Sequence, residues 1–342
     1  MSTFLSRSLP GRLMFVDQLK GFAIFLVVLG HIYNFALKPS FSYIPTFIGM
    51  IHMPVFMFVA GLMFHKKEET FSWAGYYQEM VRKFKRVLVP FISIVFGVCV
   101  FGGWDAVGLM MNEMKYGYWF VYTLFMLYAV FYPFLYLRAG RKTEVLCYLA
   151  LSVFLLVSDK YILQSWGGEK SLLSLGQFAQ YVFPFLLGIW LGKYRQVLEF
   201  VENRNWVYTV LLLSFALSYF VYIHIDYGTL PASIASFLTR FVMIATSGII
   251  AWVLFKHLAF NGCIGNILSW LGRNSLSIYL IHYFFLPSLE AYQGEVDSAD
   301  PIVLLTVSVA LSVVVIVLTS IASIVLSRSF LLSRFLFGVY KK

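Results

Sequence analysis

The chain has 342 residues, of which 60% are hydrophobic and only 12% charged, with a formal net charge of +10. A soluble domain carries about 25% charged residues, so this composition excludes a soluble fold and points to an integral membrane protein. The positive charge does not imply nucleic acid, because the basic residues fall in loops between apolar segments, where they set topology or bind anions.

A helix needs about 20 apolar residues to cross a bilayer, and about ten segments qualify or come close. They are 13–36, 45–64, 87–104, 117–137, 144–158, 177–192, 206–223, 234–255, 267–287 and 302–326. The fold class expected is therefore all-α: a polytopic membrane helix bundle with one transmembrane domain over residues 1–342. The first segment is too long for a signal-peptide core and lacks a small-residue cleavage site, so it is expected to remain as a span.

That first segment carries Asp17, Lys20 and His31 inside an otherwise apolar run. On an α-helix, Lys20 and His31 are eleven steps of about 100° apart, which returns to nearly the same face about 16 Å along the axis. Asp17 lies one turn before Lys20 on that side. Ionisable groups at membrane depth are costly, and they mark wet cavities or functional paths. The structural alternative is an Asp17–Lys20 ion pair reaching to the interface, with a packed histidine.

The second segment brings His52. The connection from His65 to Arg86 holds Arg82, Lys83, Lys85 and Arg86 with Trp73, Tyr76 and Tyr77, which reads as an interfacial amphipathic helix. Trp119 and Tyr122 open the fourth segment, either as interfacial aromatics or as a platform for substrate. The fifth and sixth segments are short, and the sixth contains Pro184. Arg240 lies in the eighth and His282 in the ninth. No pair of Gly/Pro-broken helices recurs in matching halves, which weakens a secondary-transporter reading. Cys99, Cys147 and Cys263 have no CxxC spacing and imply no disulfide framework.

With both termini cytoplasmic, twenty of the 26 lysines and arginines fall inside. Only Lys38, Lys115, Lys160 and Lys170 fall outside, and Lys20 and Arg240 lie within spans. This bias supports ten spans. The topology places His31, His52, His282 and Arg240 at a similar outer depth, on four helices expected to converge on one cavity. His52 and His282 read as supporting hydrogen bonders. Arg240 is either a partner for a carbonyl or acid, or part of the site. Three histidines at one depth raise zinc, but neither H-x₃-H nor HExxH spacing is present, and no metal is expected.

Five stretches carry a resemblance: DQLKGFAIFLVVLGH (Asp17–His31), IHMPVFMFVAGLMF (Ile51–Phe64), KRVLVP (Lys85–Pro90), YWFVYTLF (Tyr118–Phe125) and LGRNSLSIYLIH (Leu271–His282). In this order they resemble the acyltransferase-3 family of polytopic bacterial membrane O-acyltransferases. Lys20 stands where that family often has Arg, the lysine resembling its fucose 4-O-acetylase-like branch, and Ala60 stands where Ser is usual.

The resemblance implies transfer of an acyl group, usually acetyl, from cytoplasmic acyl-CoA to a cell-surface or lipid-linked sugar at the outer face of a bacterial cytoplasmic membrane. By position His31 is the catalytic candidate, as a general base or through an acetyl-histidine intermediate. Arg82, Lys83, Lys85 and Arg86 would then bind the CoA phosphates, or serve topology alone. Lys20 would line the pantetheine path, and Arg240 or a histidine would stabilise the oxyanion. The expected partners are acetyl-CoA or another acyl-CoA, the glycan acceptor and membrane lipids. No nucleic acid is expected, and a homodimer is left open. The competing reading is a transporter or flippase for a glycan lipid or small polar substrate.

Overall fold

The computed structural model describes residues 13–40, 42–64, 70–161, 171–225, 230–258 and 260–338. Of the topology charges, Arg7, Arg12, Lys66, Lys67, Lys170, Lys341 and Lys342 lie outside these residues. The described chain is helical and contains no strand, as long apolar segments with few interior breakers dictate: inside a membrane a helix satisfies its own backbone.

Eight helical runs among the described residues are long and apolar enough to span: Met14–Leu37, Ile44–Leu62, Trp73–Gly102, Trp119–Tyr136, Leu175–Lys193, Asn205–Ile223, Ala232–Leu258 and Pro301–Ser327. The other two expected segments come out differently. Arg141–Tyr161 is a continuous helix, but Arg141, Lys142, Glu144, Asp159 and Lys160 at its two ends shorten its uncharged stretch. The ninth segment is not one helix. It divides into Gly262–Arg273, Ser275–Ile281 and a 3₁₀ turn at His282–Phe285. Asn274 makes the break: its Nδ2 donates to the Trp270 carbonyl at 2.8 Å, ending the first piece. A third difference concerns the connection before the third span. From Ser72, whose hydroxyl caps Gly75 N at 3.1 Å, the chain runs on helically through a π-helical turn, Phe84–Leu88, into the membrane segment.

The chain forms two compact units, residues 1–56 with 199–325, and residues 57–198 with 326–342. In the first, helix Met14–His31 meets Gly262–Arg273 backbone to backbone. A Cβ on Gly21 would lie 1.9 Å from the Leu268 oxygen, and one on Gly272 would lie 1.8 Å from the Asp17 oxygen. Only glycine permits that approach. Gln18, buried in the same contact, donates to the Phe260 carbonyl at 2.7 Å. Nearby, buried Glu202 accepts from Trp252 Nε1 at 2.7 Å and pairs with Lys256 at 2.5 Å, so its charge is not left bare.

The second unit repeats both devices. A Cβ on Gly61 would lie 2.0 Å from the Phe185 oxygen, and one on Gly188 would lie 2.2 Å from the Phe58 oxygen. Glu144, fully buried, pairs with Lys193 at 2.6 Å and accepts from the Tyr194 hydroxyl at 3.0 Å.

Candidate active site

His31 is the last residue of the first α-helix. Immediately after it, Ile32–Leu37 is π-helical, with Lys38 N bonding the Tyr33 carbonyl at 2.8 Å. Such a widened turn changes the register of the side chains beyond it and is frequent at functional sites. The segment is tied down further along. Lys38 pairs with Glu290 at 2.9 Å, Gln293 Nε2 donates to the Lys38 carbonyl at 2.9 Å, and Ser40 N donates to Asp297 at 2.8 Å. The Lys38 ammonium holds the Glu290 carboxyl below its usual range, and the Ser40 amide does the same for Asp297. This strap joins the chain after His31 to the chain after Tyr283.

Between those two tethered segments the side chains form a line. His282, fully buried, places Nδ1 3.0 Å from the Ile278 carbonyl. A carbonyl only accepts, so His282 Nδ1 carries the proton, and in a neutral ring Nε2 is then a bare acceptor. His31 Nδ1 lies 2.6 Å from that Nε2 and must be the donor. His31 Nε2 is left with its lone pair, which faces the Tyr283 hydroxyl at 3.2 Å. The two imidazole planes are within 11° of parallel. The tautomers are thus assigned by the one arrangement that satisfies two neutral rings. His31 is partly exposed where His282 is sealed.

His52 belongs to the same neighbourhood. Its Nδ1 donates to the Ile48 carbonyl at 2.6 Å, and the Ile48 side chain lies against Gly30, next to His31.

The family model described as an acyltransferase domain matches residues 14–321. The chain belongs to the acyltransferase-3 family. Comparison with curated proteins and with solved structures returns no match.

In this membrane acyltransferase the other expected residues take varied places. Asp17 is buried and Lys20 partly buried on the first helix, and Arg240 is partly buried on Leu230–Leu258 in the same unit. Trp119 and Tyr122 belong to the second unit. Trp119 is buried and stacks on Tyr181 at 5.1 Å, while Tyr122 lies 6.3 Å from Phe91.

The basic cluster, also in the second unit, divides into two kinds. Arg82 and Lys83 both engage the buried Glu79 carboxylate, and the Lys83 ammonium sits 3.6 Å from the centre of the Tyr128 ring. Lys85 and Arg86 are exposed on the π-helical turn. The described residues contain no group of three or more metal-binding side chains. The residue missed from sequence is Tyr283. A tyrosine beside a histidine near the outer end of an apolar segment reads as an interfacial aromatic.

Proposed function

We propose that this acyltransferase moves an acetyl group from cytoplasmic acetyl-CoA to a hydroxyl of a cell-surface or lipid-linked sugar, with His31 as general base. The observation that carries the reading is the Nε2 lone pair of His31, which accepts from the Tyr283 hydroxyl and is backed through Nδ1 by His282. The base takes the acceptor hydroxyl proton as its oxygen attacks the thioester carbon. The imidazolium that forms keeps its Nδ1–H bond to His282. When the tetrahedral intermediate collapses, the C–S bond breaks and the thiolate takes the proton back from Nε2.

Lys85 and Arg86, both exposed on the π-helical turn, serve the CoA phosphates, while Arg82 and Lys83 hold the Glu79 carboxylate. Lys20 serves the pantetheine path and Arg240 the oxyanion. The bacterial cytoplasmic membrane and the fucose 4-O-acetylase-like branch belong to the same proposal. The transporter alternative would use the histidines to pass protons onward. The line ends at the Ile278 carbonyl, which cannot relay one, so a proton taken by His31 has to return the way it came.

The test is His31→Ala in membranes supplied with labelled acetyl-CoA. Removing imidazole introduces no buried charge, so the protein should stay in the membrane at parental abundance. Transfer should fall by at least about 10²-fold, the lower end for a lost general base. Transfer at the parental rate would reassign the base.

A further inference from the structure

The Tyr283 hydroxyl sits 3.2 Å from the one nitrogen that has to accept a proton in the reaction. Its position is not an accident of a mobile side chain. The ring packs on three aromatic neighbours, with centroids 4.2 Å from His282, 4.9 Å from His31 and 5.9 Å from Phe35. The Lys38–Glu290 and Ser40–Asp297 contacts hold the chain on either side of this cluster. In the tautomer assigned above His31 Nε2 has no hydrogen to give, so Tyr283 is the donor and its own oxygen lone pairs point away from the imidazole. An acceptor hydroxyl approaching His31 therefore meets a phenol oxygen able to accept its proton, with the phenol proton already directed at the base.

We propose that Tyr283 relays the acceptor's proton to His31, so that the hydroxyl to be acylated docks on the Tyr283 oxygen and not on the imidazole itself. This rests on the acetyl-transfer reading above. In the forward step the acceptor O–H proton passes to the Tyr283 oxygen while the Tyr283 proton passes to His31 Nε2. The acceptor oxygen forms its bond to the thioester carbon. On collapse the C–S bond breaks, Nε2 returns its proton to Tyr283, and Tyr283 delivers one to the departing thiolate. Tyrosine begins and ends neutral, His31 begins and ends neutral, and one proton has moved from oxygen to sulfur. No other reactant is needed.

The test uses the full chain in lipid nanodiscs and compares the parent with Tyr283→Phe, which keeps the ring packing and removes only the hydroxyl. The first arm needs no substrate. With ¹⁵N-histidine labelling, the His31 Nε2 resonance, assigned by its loss in His31→Ala, should move in Tyr283→Phe because its donor is gone. An unmoved resonance overturns the relay whatever the reaction is. The second arm follows transfer from acetyl-CoA to a panel of methyl hexopyranosides. The parent should show a bowed dependence of kcat on the deuterium fraction of the solvent, as two protons in flight require, and Tyr283→Phe a straight one. The variant's kcat should fall by about 10²-fold with the KM for acetyl-CoA nearly unchanged. Parental kcat in Tyr283→Phe overturns the relay and leaves His31 as a direct base. A parent that transfers no acetyl group overturns the acetyl-transfer reading itself, and the relay with it.

Discussion

His31 and Lys115 each bring a basic nitrogen into protein surroundings, and their neighbours treat them in opposite ways. Lys115 is fully buried, and its ammonium is used up on three carbonyl oxygens: Met110 at 2.7 Å, Asn112 at 3.1 Å and Ser171 at 2.5 Å. An ammonium has three donors and no acceptor, so nothing remains for chemistry. What it holds is an awkward loop. Lys115, Tyr116 and Ser174 take φ of 48°, 48° and 49°, left-handed backbone that disfavours residues with a Cβ. Next to it Glu113 accepts from Gly176 N at 2.9 Å and Gln177 N at 3.2 Å, satisfying the start of the Leu175–Lys193 helix. His31 also has both nitrogens partnered, but one partner is a hydroxyl that can exchange places or pass a proton. Burial of a basic group is therefore no guide to function by itself. Remaining acceptor capacity is what separates the two.

The comparison can be broken first at the histidines. After His31→Ala and Tyr283→Phe, the next largest effect should come from His282→Ala. It removes the acceptor of His31 Nδ1–H, so the ring loses its fixed tautomer and the support for its imidazolium form. We predict a fall in acetyl transfer of about tenfold, well short of the loss in His31→Ala, because the base itself survives. Rates normalised to protein in the membrane check this. A loss as large as that of His31→Ala would mean that His282 is as necessary to the proton transfer as His31, not merely its support.

Much of the fold and part of the site was legible in residues alone. The first helix announced itself through Asp17, Lys20 and His31, because charge in an apolar run has few explanations. His282 was legible from depth, although its supposed helix is broken at Asn274 by a side-chain bond that hydropathy does not register. Arg141–Tyr161 shows the same limit from the other side: its helix is real, but the charges at its two ends set it apart from the eight runs long and apolar enough to span. Tyr283 was not legible. Its role depends on which nitrogen of His31 is bare, and that follows from a carbonyl one turn before His282. Lys115 entered the sequence reading only as one of four outside charges, yet its ammonium faces protein oxygens. A lysine that caps carbonyls and a lysine that marks topology have the same sequence signature.

A second, smaller effect separates the two groups by what it leaves alone. Lys115→Met removes the donor to three carbonyls and should cost stability of about 1–3 kcal/mol, the range for buried polar atoms left without a partner. Acetyl transfer per folded molecule should stay at the parental rate, since no step uses this lysine. Thermal unfolding in detergent measures the first quantity and membrane assays the second. Lost transfer at unchanged stability would make Lys115 a participant in the reaction and erase the distinction drawn from its saturated ammonium.

The smallest effect is a pH dependence, and its sign decides which force governs the buried lysine. Removal from water pulls Lys115 from 10.5 down to about 8, against the opposing pull of the Glu113 carboxylate. In the unfolded chain the group remains near its ordinary value. Below about pH 8 both states hold the proton, and the full penalty of burying the ammonium is present. From about pH 8 to 10.5 the unfolded state still holds a proton that the folded state has released. Stability therefore rises with pH across that window. Other groups titrate there too, so the quantity to follow is the difference between the parent and Lys115→Met. The parent's melting temperature should gain on that of the variant between about pH 7.5 and 9.5. A flat difference would mean that Lys115 titrates alike folded and unfolded. A difference that shrinks would mean that the three carbonyl oxygens and Glu113 outweigh desolvation, and that the loop is held by a lysine more firmly charged than in water.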